Sequence, residues 1–126
     1  MAAARRSTDP LARLRAFAAQ LPGAVEDTPW DDSLVAKVNK KIFVFFGSAP
    51  ASGAISVKLP ESGDEARRVP GAVPTSYGLG RHGWVTVPIR EPAVLPLDVL
   101  CDWIEESYRT VAPKRLVTDL DRRAGA

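Results

Sequence analysis

Residues 75–87 read TSYGLGRHGWVTV, a loop punctuated by Gly78, Gly80 and Gly83 that carries Tyr77, Arg81 and His82 and runs directly into Trp84. Glycine lets the backbone visit positive φ and approach a neighbour closely. After the loop, Val85, Val87 and Ile89 alternate with Trp84 and Thr86, the period of a strand with one buried face. The stretch therefore predicts a loop held by a sheet, and the loop is the candidate contact surface.

Upstream, Pro70-Gly71 and Pro74 bracket the approach to this loop. Ser62 to Val69 has the composition of a short helix, with Ser62 at the cap, Asp64 and Glu65 early and Arg67-Arg68 late, as a helix dipole favours. Ala54 to Leu59 alternates, Ile55, Val57 and Leu59 inward and Ser56 and Lys58 outward. Gly47 to Gly53 is a small-residue loop. Ile42 to Phe46 is apolar at every position, so it is either the middle of the sheet with both faces covered or a strand whose second face meets a partner. Leu34, Ala36 and Val38 point one way and Val35 and Lys37 the other, and Asn39-Lys40 makes a tight hairpin turn. Val25 to Asp32, with Glu26, Asp27 and Trp30, suits a short edge strand, since Pro29 excludes a central one.

Further out lie two helices. Asp9-Pro10 reads as a cap followed by proline at the first helical position, and Leu11, Leu14, Phe17, Ala18 and Leu21 share a face until Leu21-Pro22-Gly23 stops the helix near residue 20. Downstream, Pro88, Pro92 and Pro96 lead into the longest periodic segment, in which Leu97, Leu100, Cys101, Ile104, Tyr108 and Val111 oppose Asp102, Glu105, Glu106 and Arg109. Pro113 ends it, and the charged stretch from Val117 to Ala126 is expected to be a flexible tail after a single domain over residues 1–116. The predicted architecture is α+β, an antiparallel β-sheet with the N- and C-terminal helices packed on one face.

Composition narrows the function classes. A chain of 126 residues with 45% hydrophobic and 25% charged residues has the make-up of a soluble globular domain, not of a disordered or fibrous chain. A net charge of +2 is too small to mark a nucleic-acid binder by itself, so the distribution of charge decides. The single cysteine, Cys101, allows no intrachain disulfide and points to a reducing, cytoplasmic setting. MAAARRSTDP lacks the apolar region of a secretory signal, and no apolar run is long enough to span a membrane.

The residues also carry a resemblance. Leu21-Pro22-Gly23 followed by Glu26 and Asp27, then Lys37, Val38, Lys41 and Phe43, then Tyr77 before Trp84, Thr86 and Val87, then Ser107, Tyr108, Val111 and Lys114, together resemble the MmcQ/YjbR family across roughly residues 21–114. The resemblance implies an α+β fold similar to the frataxin-like and type III secretion chaperone-like sandwiches. It also implies a cytoplasmic bacterial protein, and a DNA-binding label attached to a double-wing motif. Gly78, Gly80, Gly83 and Val85 stand where many relatives carry histidine or asparagine, so this loop is poorer in polar side chains than the family pattern.

Two binding readings follow. In the first, Lys40 and Lys41 at the hairpin (with Lys37 behind them), Lys58 on the outward face, and Arg67, Arg68, Arg81 and His82 form one basic face around the 75–87 loop that holds the phosphates of DNA. Trp84 and Tyr77 then either stack on bases or support the loop. In the second, Phe43, Phe45, Tyr77 and Trp84 wall an apolar sheet face or pocket that takes a small molecule or a protein partner. Against these stands the plainer reading of solvated charges, with Glu61, Asp64 and Glu65 nearby, and of aromatic rings serving the core.

Nothing in the sequence points to catalysis, a metal or a cofactor. His82 is the single histidine, Cys101 sits among Leu97, Leu100 and Ile104 as a buried thiol of raised pKa, and Glu26 and Asp27 are adjacent and so face apart. Neither a phosphate-cradling nor a dinucleotide motif is present. The expectation is a non-enzymatic binding protein with nucleic acid as the leading candidate partner and a small molecule or protein as the alternative.

Overall fold

The hairpin turn organises the sheet: Asn39 and Lys40 both adopt positive φ, 51° and 70°, as a two-residue turn matched to strand twist requires. The structure, a computed structural model, describes residues 10–29, 33–47, 53–76, 78–90 and 95–125. Helix α1 (Pro10–Ala19) is followed by strands β1 (Ala24–Asp27), β2 (Leu34–Val38), β3 (Lys41–Gly47) and β4 (Ala54–Lys58). Then come the short helix α2 (Gly63–Arg67), β5 (Val73–Pro74), a 3-10 turn (Leu79–His82), β6 (Trp84–Pro88), and helices α3 (Leu97–Val111) and α4 (Lys114–Gly125).

The six strands form one antiparallel sheet in the order β1-β2-β3-β4-β6-β5. Helices α1 and α3 cover one face, packing Leu11, Leu14 and Ala18 with Leu100, Trp103, Ile104 and Tyr108 against Ala36, Val38, Val44, Ile55, Val57, Val85 and Val87. The predicted α+β architecture and the inward triplets of β4 and β6 are therefore present. Trp103, absent from the predicted stripe, belongs to it at the i+3 position from Leu100.

β3 uses seven residues where β2 uses five, and the excess is taken up at two bulges. Ala36 pairs with Val44 while Lys37 pairs with Ile42, leaving Phe43 extra, and Val35 pairs with Phe45 while Leu34 pairs with Gly47, leaving Phe46 extra. Phe43, Val44 and Phe46 are all fully buried in the helix-covered core, and the Phe43 ring meets Tyr108 edge-on at 5.3 Å. Phe45, opposite Ser56, faces the other way. The expectation that Phe43 and Phe45 share a face is thus corrected: a strict period of two does not survive a bulge.

Two buried hydroxyls anchor α3, one to the turn between α1 and β1 and one to the sheet. The Tyr108 hydroxyl donates to the Pro22 carbonyl at 2.6 Å, and Ser107 bonds to strand backbone on β3 and β4. Burial also pushes the Tyr108 hydroxyl pKa up. At the N-cap position of α2, Ser62 does not cap with its side chain; its Oγ donates to Glu106, whose carboxylate also accepts from the Glu61 and Ser62 backbone N–H groups.

The segment from Val117 onward, expected to be a flexible tail, is helical as far as Gly125. Leu120 is buried, Leu116 packs at Gly23, Arg109 bridges to Asp121 at 2.8 Å, and Arg123 donates to the Gln20 carbonyl at 2.5 Å. Gly23 has φ +72°, and a Cβ there would lie 2.9 Å from Leu116 Cδ1, so both the turn and the fit of α4 require glycine. Among the described residues no helix is long and apolar enough to cross a membrane.

Candidate functional site: a hydroxyl-lined cavity on the open sheet face

The face of the sheet that α1 and α3 leave open is built by register. Phe45 on β3 pairs with Ser56 on β4, Ser56 with Thr86 on β6, and Thr86 with Val73 on β5, so these four side chains form one row across the strands. Next along, Lys58 pairs with Trp84. Trp84 is buried, stands outside the main core cluster, and meets Phe45 edge-on at 5.3 Å. It braces the Phe45 ring from the side.

Over this row lies a cavity of about 670 Å³ lined by Ser33, Phe45, Ser56, Thr75, Ser76, Leu79 and Thr86. Its size falls in the range of small-molecule sites. Leu79 comes from the 3-10 turn, which Gly78 and Gly83 bound at φ 79° and 90°. Gly80 serves differently from the expected positive φ: a Cβ there would lie 2.7 Å from Pro74 Cβ, so the turn comes this close to β5 only with glycine.

Three of the cavity hydroxyls are linked. Ser56 Oγ and Thr86 Oγ1 are 2.7 Å apart, and Thr75 Oγ1 and Thr86 Oγ1 are 3.0 Å apart. Backbone bonds hold Thr75 in place, its N–H donating to the Trp84 carbonyl at 3.2 Å and its carbonyl accepting from Gly80 at 3.0 Å.

Of the four aromatic residues expected to wall a pocket, Phe45 lines the cavity, Trp84 supports Phe45, and Phe43 lies on the opposite face beneath α3. Tyr77 lies outside the described residues. The serines and threonines of the wall were not singled out from the sequence. Outward alternation marked Ser56, and Thr86 opposed the buried valines, but only strand register shows that the two meet.

Lys40 and Lys41 at the hairpin, Lys58 at the end of β4, and Arg81 and His82 just before β6 gather at one end of the sheet, where Leu59 N–H also bonds the Gly83 carbonyl at 2.9 Å. Arg67 ends α2 and Arg68 caps it; Ala66 of that helix packs into the helix-covered core, and Arg67 is paired with Asp64. Lys37 is paired with Asp27 at 2.8 Å, an interaction that, with the Thr28 N–H, holds the Asp27 carboxyl below the usual range. The basic end is also bordered by acid: Glu61 follows Lys58 closely and, with Asp102, Glu105 and Glu106, lines a cleft of about 400 Å³ beside α3. Of the basic face expected from the sequence, strand register thus brings Lys40, Lys41, Lys58, Arg81 and His82 to one end of the sheet, while Arg67 is engaged by Asp64.

Cys101 is partly buried on α3, and burial first, then Asp102, pushes its thiol pKa up. Among the described residues no group of three or more histidine, cysteine, aspartate or glutamate side chains is placed to hold a metal ion.

Comparison with known proteins follows the fold. A family model described as YjbR matches residues 19–110. Among solved structures the chain is similar to the Deinococcus radiodurans protein DR2400, a DUF419 domain, with 26% identity, 84% of this chain and 83% of that one covered, and a TM-score of 0.68. A Pseudomonas syringae protein shares the fold at 23% identity, with 79% of this chain and 96% of that one covered and a TM-score of 0.62. No curated protein matches.

Proposed function

We propose, from the premise that this chain belongs to the YjbR family, that it is a non-enzymatic binding protein that takes a small molecule in the cavity on its open sheet face. The observation that carries this reading is the in-register row of Phe45, Ser56 and Thr86 beneath a cavity of about 670 Å³. An aromatic wall offers apolar contact, and linked hydroxyls offer orientation, the usual division of labour in a ligand site.

The test is a titration of the ¹⁵N-labelled protein with a library of small ring compounds. The expected result is a set of amide shifts centred on Phe45, Ser56, Thr75 and Thr86, with affinity weakened about tenfold in Phe45→Ala, roughly the 1.4 kcal/mol worth of one lost ring contact. Shifts that cluster elsewhere, or none, would overturn the proposal.

A second reading is favoured by the gathering of Lys40, Lys41, Lys58, Arg81 and His82 at one end of the sheet. In that reading this end holds nucleic-acid phosphates, without Arg67 and Arg68. Binding to random-sequence duplex DNA should then fall steeply as salt rises, and Lys40→Ala with Lys41→Ala should flatten the slope by about two units. Salt-insensitive binding, or none, argues against it.

A further inference from the structure

The hydroxyl row has an imbalance of donors and acceptors, and from it we infer that the cavity selects a flat ring bearing N–H or O–H donors on one edge, an inference that rests on the small-molecule reading above. Thr86 is the centre of the row, within bonding distance of Ser56 on one side and Thr75 on the other. Each hydroxyl carries one proton and two acceptor lone pairs. The two internal bonds use two of the three protons and two of the six lone pairs, leaving one proton against four lone pairs. The row as a unit accepts more than it donates. Bonds in such a chain polarise one another, which strengthens the outward acceptors.

Position adds the shape. Phe45 is the register partner of Ser56, so the aromatic ring and the acceptor oxygens lie side by side along one line across β3, β4 and β6, with Leu79 on the wall contributed by the 3-10 turn. A guest that lays a face on Phe45 turns an edge to the row. Aromatic primary amides, phenols and amino-substituted heterocycles share this chemistry: an apolar face, and donors at the rim.

The probe is a matched pair, benzamide and N,N-dimethylbenzamide, which differ in the two N–H donors. Both are titrated into the ¹⁵N-labelled protein, and the same spectra report whether each variant is folded. Benzamide is expected to bind at least about tenfold more tightly, shifting the amides of Ser56, Thr75 and Thr86, the discrimination that unmatched acceptors impose. In Thr86→Val, a near-isosteric change that removes the central hydroxyl, the preference should fall to about one. Thr75→Val, at the end of the row, gives a second variant in case the first does not fold, and should reduce the preference as well. Equal binding of the two probes, or a preference that survives the valine variants, overturns the donor selectivity while leaving the cavity as a binding site. Failure of both probes to shift the cavity amides, in a titration where no other ring compound does so either, overturns the small-molecule reading together with it.

Discussion

The Ser107 hydroxyl donates to the Phe43 carbonyl at 2.5 Å and, through its oxygen, accepts the Lys58 backbone N–H at 2.9 Å. Val44 pairs with Val57 and Phe45 with Ser56, so Phe43 and Lys58 are the next partners in line on β3 and β4. A side chain from α3 therefore occupies the place of a ladder bond where the two strands part. Ser107 is fully buried, and its one hydroxyl gives both backbone groups a partner.

Replacing that hydroxyl should be costly. Ser107→Ala leaves a buried carbonyl and a part-buried N–H without their partner, an expected loss of about 2 kcal/mol in chemical denaturation with an unchanged denaturant slope. A loss under about 0.5 kcal/mol would mean that β3 and β4 pair directly once the wedge is gone.

Tyr108→Phe keeps the edge contact with Phe43 and removes only the bond to the Pro22 carbonyl. Because Pro22 is buried, the expected destabilisation is about 1–2 kcal/mol, seen as a lowered midpoint of thermal unfolding. Cavity occupancy should be unaffected, since Tyr108 lies on the other side of the sheet.

Gly23→Ala combines two penalties, a side chain at φ +72° and a Cβ 2.9 Å from Leu116. The backbone part alone is about 1–2 kcal/mol. In a Leu116→Ala background the steric part should vanish and the backbone part remain, so a double-mutant cycle separates them. Full additivity would show that α4 does not seat against Gly23 in solution.

The Asp27 carboxyl is held below its ordinary value first by the Lys37 ammonium and then by the Thr28 N–H. Its folded pKa being lower than its unfolded one, the unfolded chain binds the proton more readily. The contribution is therefore complete above the unfolded value, about 3.9, and is lost as pH falls through the folded value. NMR titration of Asp27 should give a midpoint below the free value, and Lys37→Met should raise it.

Cys101 is expected to alkylate slowly near neutral pH and to speed up only well above the ordinary thiol range, because partial burial and the neighbouring Asp102 disfavour the thiolate. Rates of reaction with iodoacetamide across pH, compared with a free cysteine peptide, measure this directly.

How much of this was legible depends on the distance over which each feature is decided. The Asn39-Lys40 turn, the alternation in β4 and β6 and the stop at Leu21-Pro22-Gly23 are local, and the chain spells them out. The face of Phe43 is set by a bulge against β2, which the run of apolar residues conceals. Helix α4 was missed because its apolar contacts, Leu116 and Leu120, are few among charges, and its placement relies on Gly23, Gln20 and Arg109 from distant parts of the chain. The cavity row required the pairing of three strands, and the seating of α2 required knowing that it docks through Ala66.

The two extra residues in β3 also bear on how chains of this kind tolerate changes of length. A deletion within an ordinary strand shifts all later side chains onto the wrong face. Here the loss of one bulged residue has somewhere to go: the flanking pairs can keep their partners while a single phenyl ring is lost from the interior. β3 thus contains a built-in slip joint, through which a deletion can be absorbed at the expense of core packing while Phe45 stays on the open face.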